Sequence, residues 1–348
     1  MTRADDVCEF IERYVTVPEG SHVGQKMRLR PWQREIVHGI YDNRRTRRAI
    51  VSIARKNGKS ATTAMLVLSH LVGPESRRNA QIYSAAQSRD QAAIVFGLAS
   101  RMVRMSRELN GLVTVKDSAK ELFCPSTGVR YKALSADATT AYGLSPSLVI
   151  HDELGLVRGP RSELFEAETA SAAQEDPLSI IISTQAPTDG DLLSILIDDA
   201  LRNGSERTRL FLYAADPADD PWSEETWRKA NPALGDFCSL DEMRELAATA
   251  QRMPAQEASF RNLNLNQRVD AAINHFISPA VWAANGEPPD LSVLESEPVW
   301  VGVDLSSTQD LTAIVLAAYR LRAGFRRGFW PILQDPIARN KGGRDAVA

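Results

Sequence analysis

Val51-Ser52-Ile53-Ala54-Arg55-Lys56-Asn57-Gly58-Lys59-Ser60 is the stretch whose reading decides the fold. A β-branched apolar run, Ala49-Ile50-Val51-Ser52-Ile53, leads into it, and a helix-forming run, Ala61-Thr62-Thr63-Ala64-Met65-Leu66-Val67-Leu68, follows. Strand, polar loop and helix in that order form the context in which a Gly-Lys-Ser loop binds phosphate. Amides of the loop and first helical turn point at the anion. Lys59 then reaches the β- and γ-phosphates, and the Ser60 hydroxyl ligates Mg²⁺. The first glycine of the usual G-x-x-x-x-G-K-[ST] pattern is replaced by Ile53, so the competing reading is a basic loop capping an ordinary helix.

A second stretch favours the phosphate reading. Leu148-Val149-Ile150-His151-Asp152-Glu153 is an apolar run ending in two acids. Buried carboxylates are costly unless a cation offsets them. Asp152 is assigned to Mg²⁺ through water, and Glu153 to polarising the attacking water as general base. The bland alternative is a strand ending in a solvated Asp-Glu turn. Ile180-Ile181-Ile182-Ser183-Thr184-Gln185 is a further buried strand with a polar end, suited to sensing a γ-phosphate or simply to closing a core strand.

Between these stretches, apolar runs alternate with helical patterns. Ala80–Ala86 reads as a strand, Arg89–Leu109 as one long helix, and Val113–Val115 and Val129–Leu134 as strands. This alternation predicts a doubly wound, mostly parallel α/β sheet of the P-loop NTPase type. Ligands of such sheets lie beyond the carboxyl ends of the strands, here with the Lys59 turn and the acid pair at neighbouring strand tips. Residues 5–15 read as a short amphipathic helix with Val7, Phe10, Ile11 and Tyr14 on one side. Pro31 suits a first helical position, and Trp32, Ile36 and Ile40 recur every four residues behind it. Gln33 opens that helix; its amide donates and accepts at once, which suits an adenine edge, although a surface glutamine is the commoner case. Arg44-Arg45-Thr46-Arg47-Arg48 is either a solvated turn or a contact to a phosphate backbone.

Bulk properties set the frame. The 348 residues are 43% hydrophobic and 24% charged, enough for two domains of ordinary globular composition. With a net charge of −3, any nucleic-acid contact must come from local patches. Cys8, Cys124 and Cys238 are odd in number and far apart, which fits a reducing compartment and no cysteine-rich zinc site. No apolar run has the length of a membrane span, and Met1-Thr2-Arg3-Ala4-Asp5-Asp6 does not open a secretory signal.

Taken together, Leu29-Arg30-Pro31-Trp32-Gln33, the Arg55–Ser60 loop, Tyr83-Ser84-Ala85-Ala86 with Arg89-Asp90-Gln91-Ala92, Asp152-Glu153, Ser183-Thr184-Gln185 and Asn262-Leu263-Asn264 resemble the large subunit of tailed-phage terminases. The resemblance spans roughly residues 25–320. It implies an ATPase that packages viral double-stranded DNA into a procapsid, joined to an RNase H-like nuclease. It further implies ATP with Mg²⁺ as cofactors, Mg²⁺ or Mn²⁺ for the nuclease, and the phage portal, the terminase small subunit and a homo-oligomeric ring as partners. The setting implied is the cytoplasm of a bacterial host, with no membrane. By the same resemblance Gln33 contacts adenine, and the Arg55, Lys56, Asn57, Gly58, Lys59 and Ser60 loop holds the phosphates. Arg55 stabilises transferring charge as an arginine finger, Glu153 serves the attacking water, and Ser183 and Thr184 form the coupling motif.

The expected domains are an ATPase motor over 1–215, a small helical lid and linker over 216–294, and the start of a nuclease over 295–348. Asp216-Pro217-Ala218-Asp219-Asp220-Pro221-Trp222 marks the first boundary, and Ser239 with Glu242 caps a helix reaching about Arg252. Trp300–Leu316 reads as two strands around a tight polar turn. Asp304 ends the first of them and, by resemblance, is a nuclease metal ligand, whereas Asp310 is taken as a turn residue. Few residues follow Asp304 compared with a usual domain of roughly 100–150. Arg320–Arg344 is basic and lacks apolar periodicity, so an unfolded tail, an incomplete nuclease and little DNA cutting are expected. Two rival readings remain: a helicase-like, nucleic-acid-dependent P-loop ATPase, and an inactive prophage remnant that only binds.

Overall fold

The computed structural model describes residues 1–86, 89–134, 145–163, 165–166, 176–269, 298–304, 313–322, 325–329 and 332–333. It divides into two compact units, Met1–Phe276 and Ile277–Ala348. The first unit opens with α1 (Arg3–Tyr14) and α2 (Pro31–Tyr41), then β1 (Arg48–Ser52), α3 (Lys59–Leu71), β2 (Gln81–Ala85), α4 (Arg89–Met105) and α5 (Arg107–Leu112). It continues through β3 (Thr114–Lys116), β4 (Glu121–Cys124), β5 (Val129–Leu134), β6 (Leu148–Asp152), β7 (Leu178–Ser183), α6 (Leu192–Asn203) and β8 (Thr208–Leu212). Three helices close it: α7 (Glu224–Ala230), α8 (Leu240–Arg252) and α9 (Pro254–Leu265).

One sheet organises this unit, in the order β3-β4-β5-β2-β6-β7-β1-β8. From β5 to β8 every pairing is parallel, and β3 and β4 add an antiparallel edge. The apolar runs explain why both faces are covered. Alternate residues of β1 and β7 point to opposite sides: Ala49, Val51, Ile180 and Ile182 join the large core with α1 to α4, while Ile50 and Ile181 join Leu192, Leu193 and Ile197 of α6.

The order corrects one expectation. β1 and β6 are not neighbours, because β7 lies between them. The run Leu178–Ile182 is buried throughout, which suits a strand with a partner on each side. In consequence Ser52 pairs with Ser183, Asp152 pairs with Ile182, and the three strand ends share one edge.

One further expectation changes and another holds. The predicted helix to Leu109 breaks at Ser106, which adopts an extended conformation and caps α5 by accepting the Leu109 amide at 3.4 Å. The capping role of Ser239 appears as drawn, its hydroxyl accepting from the Glu242 amide at 3.2 Å.

The second unit carries β9 (Trp300–Asp304), β10 (Ala313–Arg322), β11 (Phe325–Phe329) and β12 (Ile332–Leu333), all paired antiparallel through β10. The expectation of an unfolded chain from Arg320 is therefore wrong over these strands. Tyr319 and Leu321 alternate with Arg320 and Arg322, a period of two that strands accept despite the charge. Asp310, residues 270–294 of the expected linker and the final basic stretch lie outside the described residues.

Candidate active site

The loop after β1 is built from inside as well as outside. Lys56 and Gly58 take left-handed conformations, with φ of 67° and 69°, and α3 starts at Lys59. Asn57 is fully buried. Its Nδ2 donates to Asn231 Oδ1 at 2.8 Å and to Ala54 O at 3.2 Å, and its Oδ1 accepts from the Ala233 amide at 3.1 Å. The Asn57 side chain thus ties the loop to the turn that follows α7, whereas Arg55, Lys56, Gly58, Lys59 and Ser60 line an adjoining cavity. Arg55 and Lys56 are exposed at its mouth.

Lys59 is buried. Its ammonium donates to Ile53 O at 3.1 Å and lies 3.6 Å from Glu153 Oε1. Burial pulls its pKa down against the opposing pull of Glu153 and Asp152. Glu153 sits just past β6 with φ of 54°, its amide donating to Ile182 O at 2.9 Å. Its Oε2 is approached by the hydroxyls of Ser183 at 3.3 Å and Thr184 at 3.4 Å. The two sequence stretches flagged separately, the acid pair and the Ser183-Thr184 end, therefore form one cluster.

Asp152 is buried beside them, and its Oδ1 has no hydrogen-bond partner. Burial, reinforced by the neighbouring Glu153, pushes its carboxyl up to about 7. An orphaned carboxylate oxygen at a strand end fits a cation better than it fits a folded core.

Gln33 lines the same cavity, yet both ends of its amide are engaged. Its Oε1 accepts from the Arg30 amide at 3.0 Å and its Nε2 donates to Thr62 Oγ1 at 3.1 Å. The cavity measures about 660 Å³, within the range of roughly 300–1,000 Å³ typical of small-molecule sites.

Asn266, which the sequence reading passed over, completes the site together with the Asn262-Leu263-Asn264 run. Asn266 ends α9 in a left-handed conformation, which asparagine tolerates better than most residues. Its Nδ2 donates to Ser52 Oγ at 3.0 Å and Tyr213 O at 2.8 Å, and its Oδ1 accepts from the Gln185 amide at 2.7 Å. Asn262 Nδ2 adds a bond to Gln185 O at 3.0 Å, and the Arg55 amide donates to Leu263 O at 2.9 Å. The end of α9 is thereby bound to the ends of β1, β7 and β8. Asp304 belongs to the other unit, where it ends β9 opposite Ala313.

Comparison with known proteins matches this geometry to a family. A model described as the ATPase domain of terminase large subunits matches residues 31–200, and one for their endonuclease domain matches 208–323. The terminase large subunit of Enterobacteria phage HK97 is 49% identical over 320 residues, which are 91% of this chain and 62% of that protein's length. The crystal structure of the HK97 large terminase aligns with a TM-score of 0.74 at 46% identity, covering 95% of this chain and 67% of the other. A variant of the ATPase domain of the Thermus phage P74-26 large terminase aligns with a TM-score of 0.50 at 18% identity, over 70% of this chain and 95% of that one, a likeness of fold alone.

Proposed function

Because the chain belongs to the family of terminase large subunits, we propose that it hydrolyses ATP to move viral double-stranded DNA into a procapsid. The observation that carries this reading is the cluster of Lys59, Glu153, Ser183 and Thr184 beside an orphaned Asp152 oxygen, all at one end of the sheet.

In this reading the triphosphate lies over Gly58, Lys59 and Ser60. Its negative charge joins Lys59, which the polyphosphate draws away from the carbonyls it now contacts. Asp152 and the Ser60 hydroxyl would hold Mg²⁺, which when bound neutralises charge on the phosphates. Glu153 orients a water and takes its proton as the water oxygen attacks the γ-phosphorus; the bond to the bridging oxygen breaks, leaving ADP and phosphate. Ser183 and Thr184 hold the Glu153 carboxylate in position, and Arg55, exposed at the cavity mouth, stabilises the transferring phosphoryl. Gln33 borders the adenine end. Loss of the γ-phosphate is passed from the β7 end to α9 through Gln185, Asn262 and Asn266.

The partners proposed are DNA, the portal of a procapsid, a small subunit and further copies of the chain in a ring, in the host cytoplasm. No helix among the described residues is long and apolar enough to cross a membrane. In the second unit, Asp304 is proposed as a metal-holding carboxylate of the endonuclease domain, with Mg²⁺ or Mn²⁺. The test is ATP turnover with and without DNA: the chain should hydrolyse ATP faster with DNA, and DNA-independent or absent turnover would remove the motor reading.

A further inference from the structure

The cavity beside the loop is lined by groups of two kinds. Lys59, Ser60 and Glu153 are charged or polar, whereas Phe237 and Met27 are apolar and Arg30 offers a flat guanidinium. Phe237 comes from the turn between α7 and α8, and that turn is anchored on both sides. Asn57 holds it through Asn231 and the Ala233 amide. Arg30 grips it through Asp236, with Nε to Oδ2 at 2.6 Å and Nη2 to Oδ1 at 3.0 Å. Within the turn, Gly235 takes φ of 88° and its amide donates to Cys238 O at 2.8 Å, while the amides of Asp236 and Cys238 both donate to Ala233 O at 3.1 Å.

Phe237 is therefore carried on a stiff support, and only partly buried. Its ring edge passes so near the loop that a Cβ on Gly58 would lie 3.2 Å from Phe237 Cε2. The Arg30 guanidinium lies over the ring, 5.4 Å from its centroid. A guanidinium laid on a phenyl ring keeps a flat outer face of its own on which a further planar group can stack. Every nucleobase offers a flat face to such a surface, and a stacked base is held without any hydrogen-bond readout of its edge. Gln33, the residue suited to reading that edge, has its amide committed on both sides within the protein.

We infer that Phe237, with the Arg30 guanidinium laid on it and Asp236 holding Arg30 in place, is the wall on which the nucleotide base stacks. The inference rests on the nucleotide reading above and assigns its base subsite. It makes the α7–α8 turn a part of the nucleotide site, so a bound base would tie this turn to the start of α2, which Arg30 precedes. Asp236 acts here as a positioning residue for Arg30.

Equilibrium binding of ATP and of inorganic tripolyphosphate to the full chain, each with Mg²⁺, separates the possibilities, because tripolyphosphate has the phosphates and no base. Phe237→Ala should weaken ATP about tenfold, as loss of one base-stacking contact does, and leave tripolyphosphate within twofold. Phe237→Trp should keep ATP affinity. Phe237→Leu, which retains apolar bulk without a π-face, should behave as Phe237→Ala with an unchanged melting temperature in the absence of ligand. Equal weakening of ATP and tripolyphosphate would show that Phe237 only supports the loop, and unchanged ATP binding would show that the base lies elsewhere; either overturns the inference. A wild-type chain that binds neither probe would overturn the nucleotide reading along with it.

Discussion

Lys59 Nζ and Glu153 Oε1 lie 3.6 Å apart although the strands that deliver them, β1 and β6, are separated by β7. The separation has a chemical consequence. It puts the hydroxyls of Ser183 and Thr184, at the β7 end, against the other oxygen of the same carboxylate. A lysine and two hydroxyls thus orient Glu153 from different sides.

Glu153→Gln keeps the shape of that cluster and removes the base. It should bind Mg·ATP with near wild-type affinity and lose turnover by at least about hundredfold, the usual weight of a general base. Steady-state ATPase rates alongside calorimetric binding check this. Turnover within a few-fold of wild type would take Glu153 out of its role.

Asn57 should behave as a structural residue, even though it stands inside the phosphate loop. Its side chain is buried, and truncation strands the Ala233 amide and the Asn231 oxygen without their partner. Asn57→Ala should lose roughly 1–3 kcal/mol of stability, read from urea denaturation. A variant of unchanged stability and reduced tripolyphosphate affinity would place the side chain at the phosphates instead.

Acid should destabilise the first unit through His70. Its Nε2 lies 2.9 Å from the Tyr41 hydroxyl, and burial, with Arg3 and Arg77 adding to it against Glu75, lowers its pKa to about 4. The unfolded chain protonates this histidine near 6.5, the folded chain not until about 4. The unfolded state therefore binds more protons between those values, and stability falls as pH drops through that window, by as much as about 3 kcal/mol for this one group. His70→Gln retains a polar partner for Tyr41 and does not titrate, so it should flatten the profile between pH 6.5 and 4 by about one proton. An identical slope in both proteins would contradict the assignment.

Local features of the fold were readable in the sequence because local physics sets them. The loop at Gly58, the proline at the start of α2, the acids ending β6 and the serine capping α8 are each written within a few residues. Strand order was not readable in the same way: nothing in Leu178–Ser183 states that it will insert between β1 and β6, since that choice depends on pairings far along the chain. The same holds for the site. The grip of Arg30 on Asp236 spans 206 residues, and the bond from Asn266 to Ser52 spans 214. Phe237 gave no local signal, being a single aromatic in a polar turn. The arginine-bearing strands β8 and β11 lack the dense apolar runs by which the central strands were recognised, and α6 went unmarked although Leu192, Leu193 and Ile197 are buried.

The most direct test of the account compares DNA-stimulated ATP hydrolysis by the full chain with that of Lys59→Ala, both verified as folded by thermal melting. The account predicts a wild-type rate that rises on adding double-stranded DNA and a variant rate lower by at least about hundredfold, as expected when a buried phosphate-binding cation is removed. Equal rates in the two proteins would contradict it, because the nucleotide would then be processed somewhere other than the end of β1.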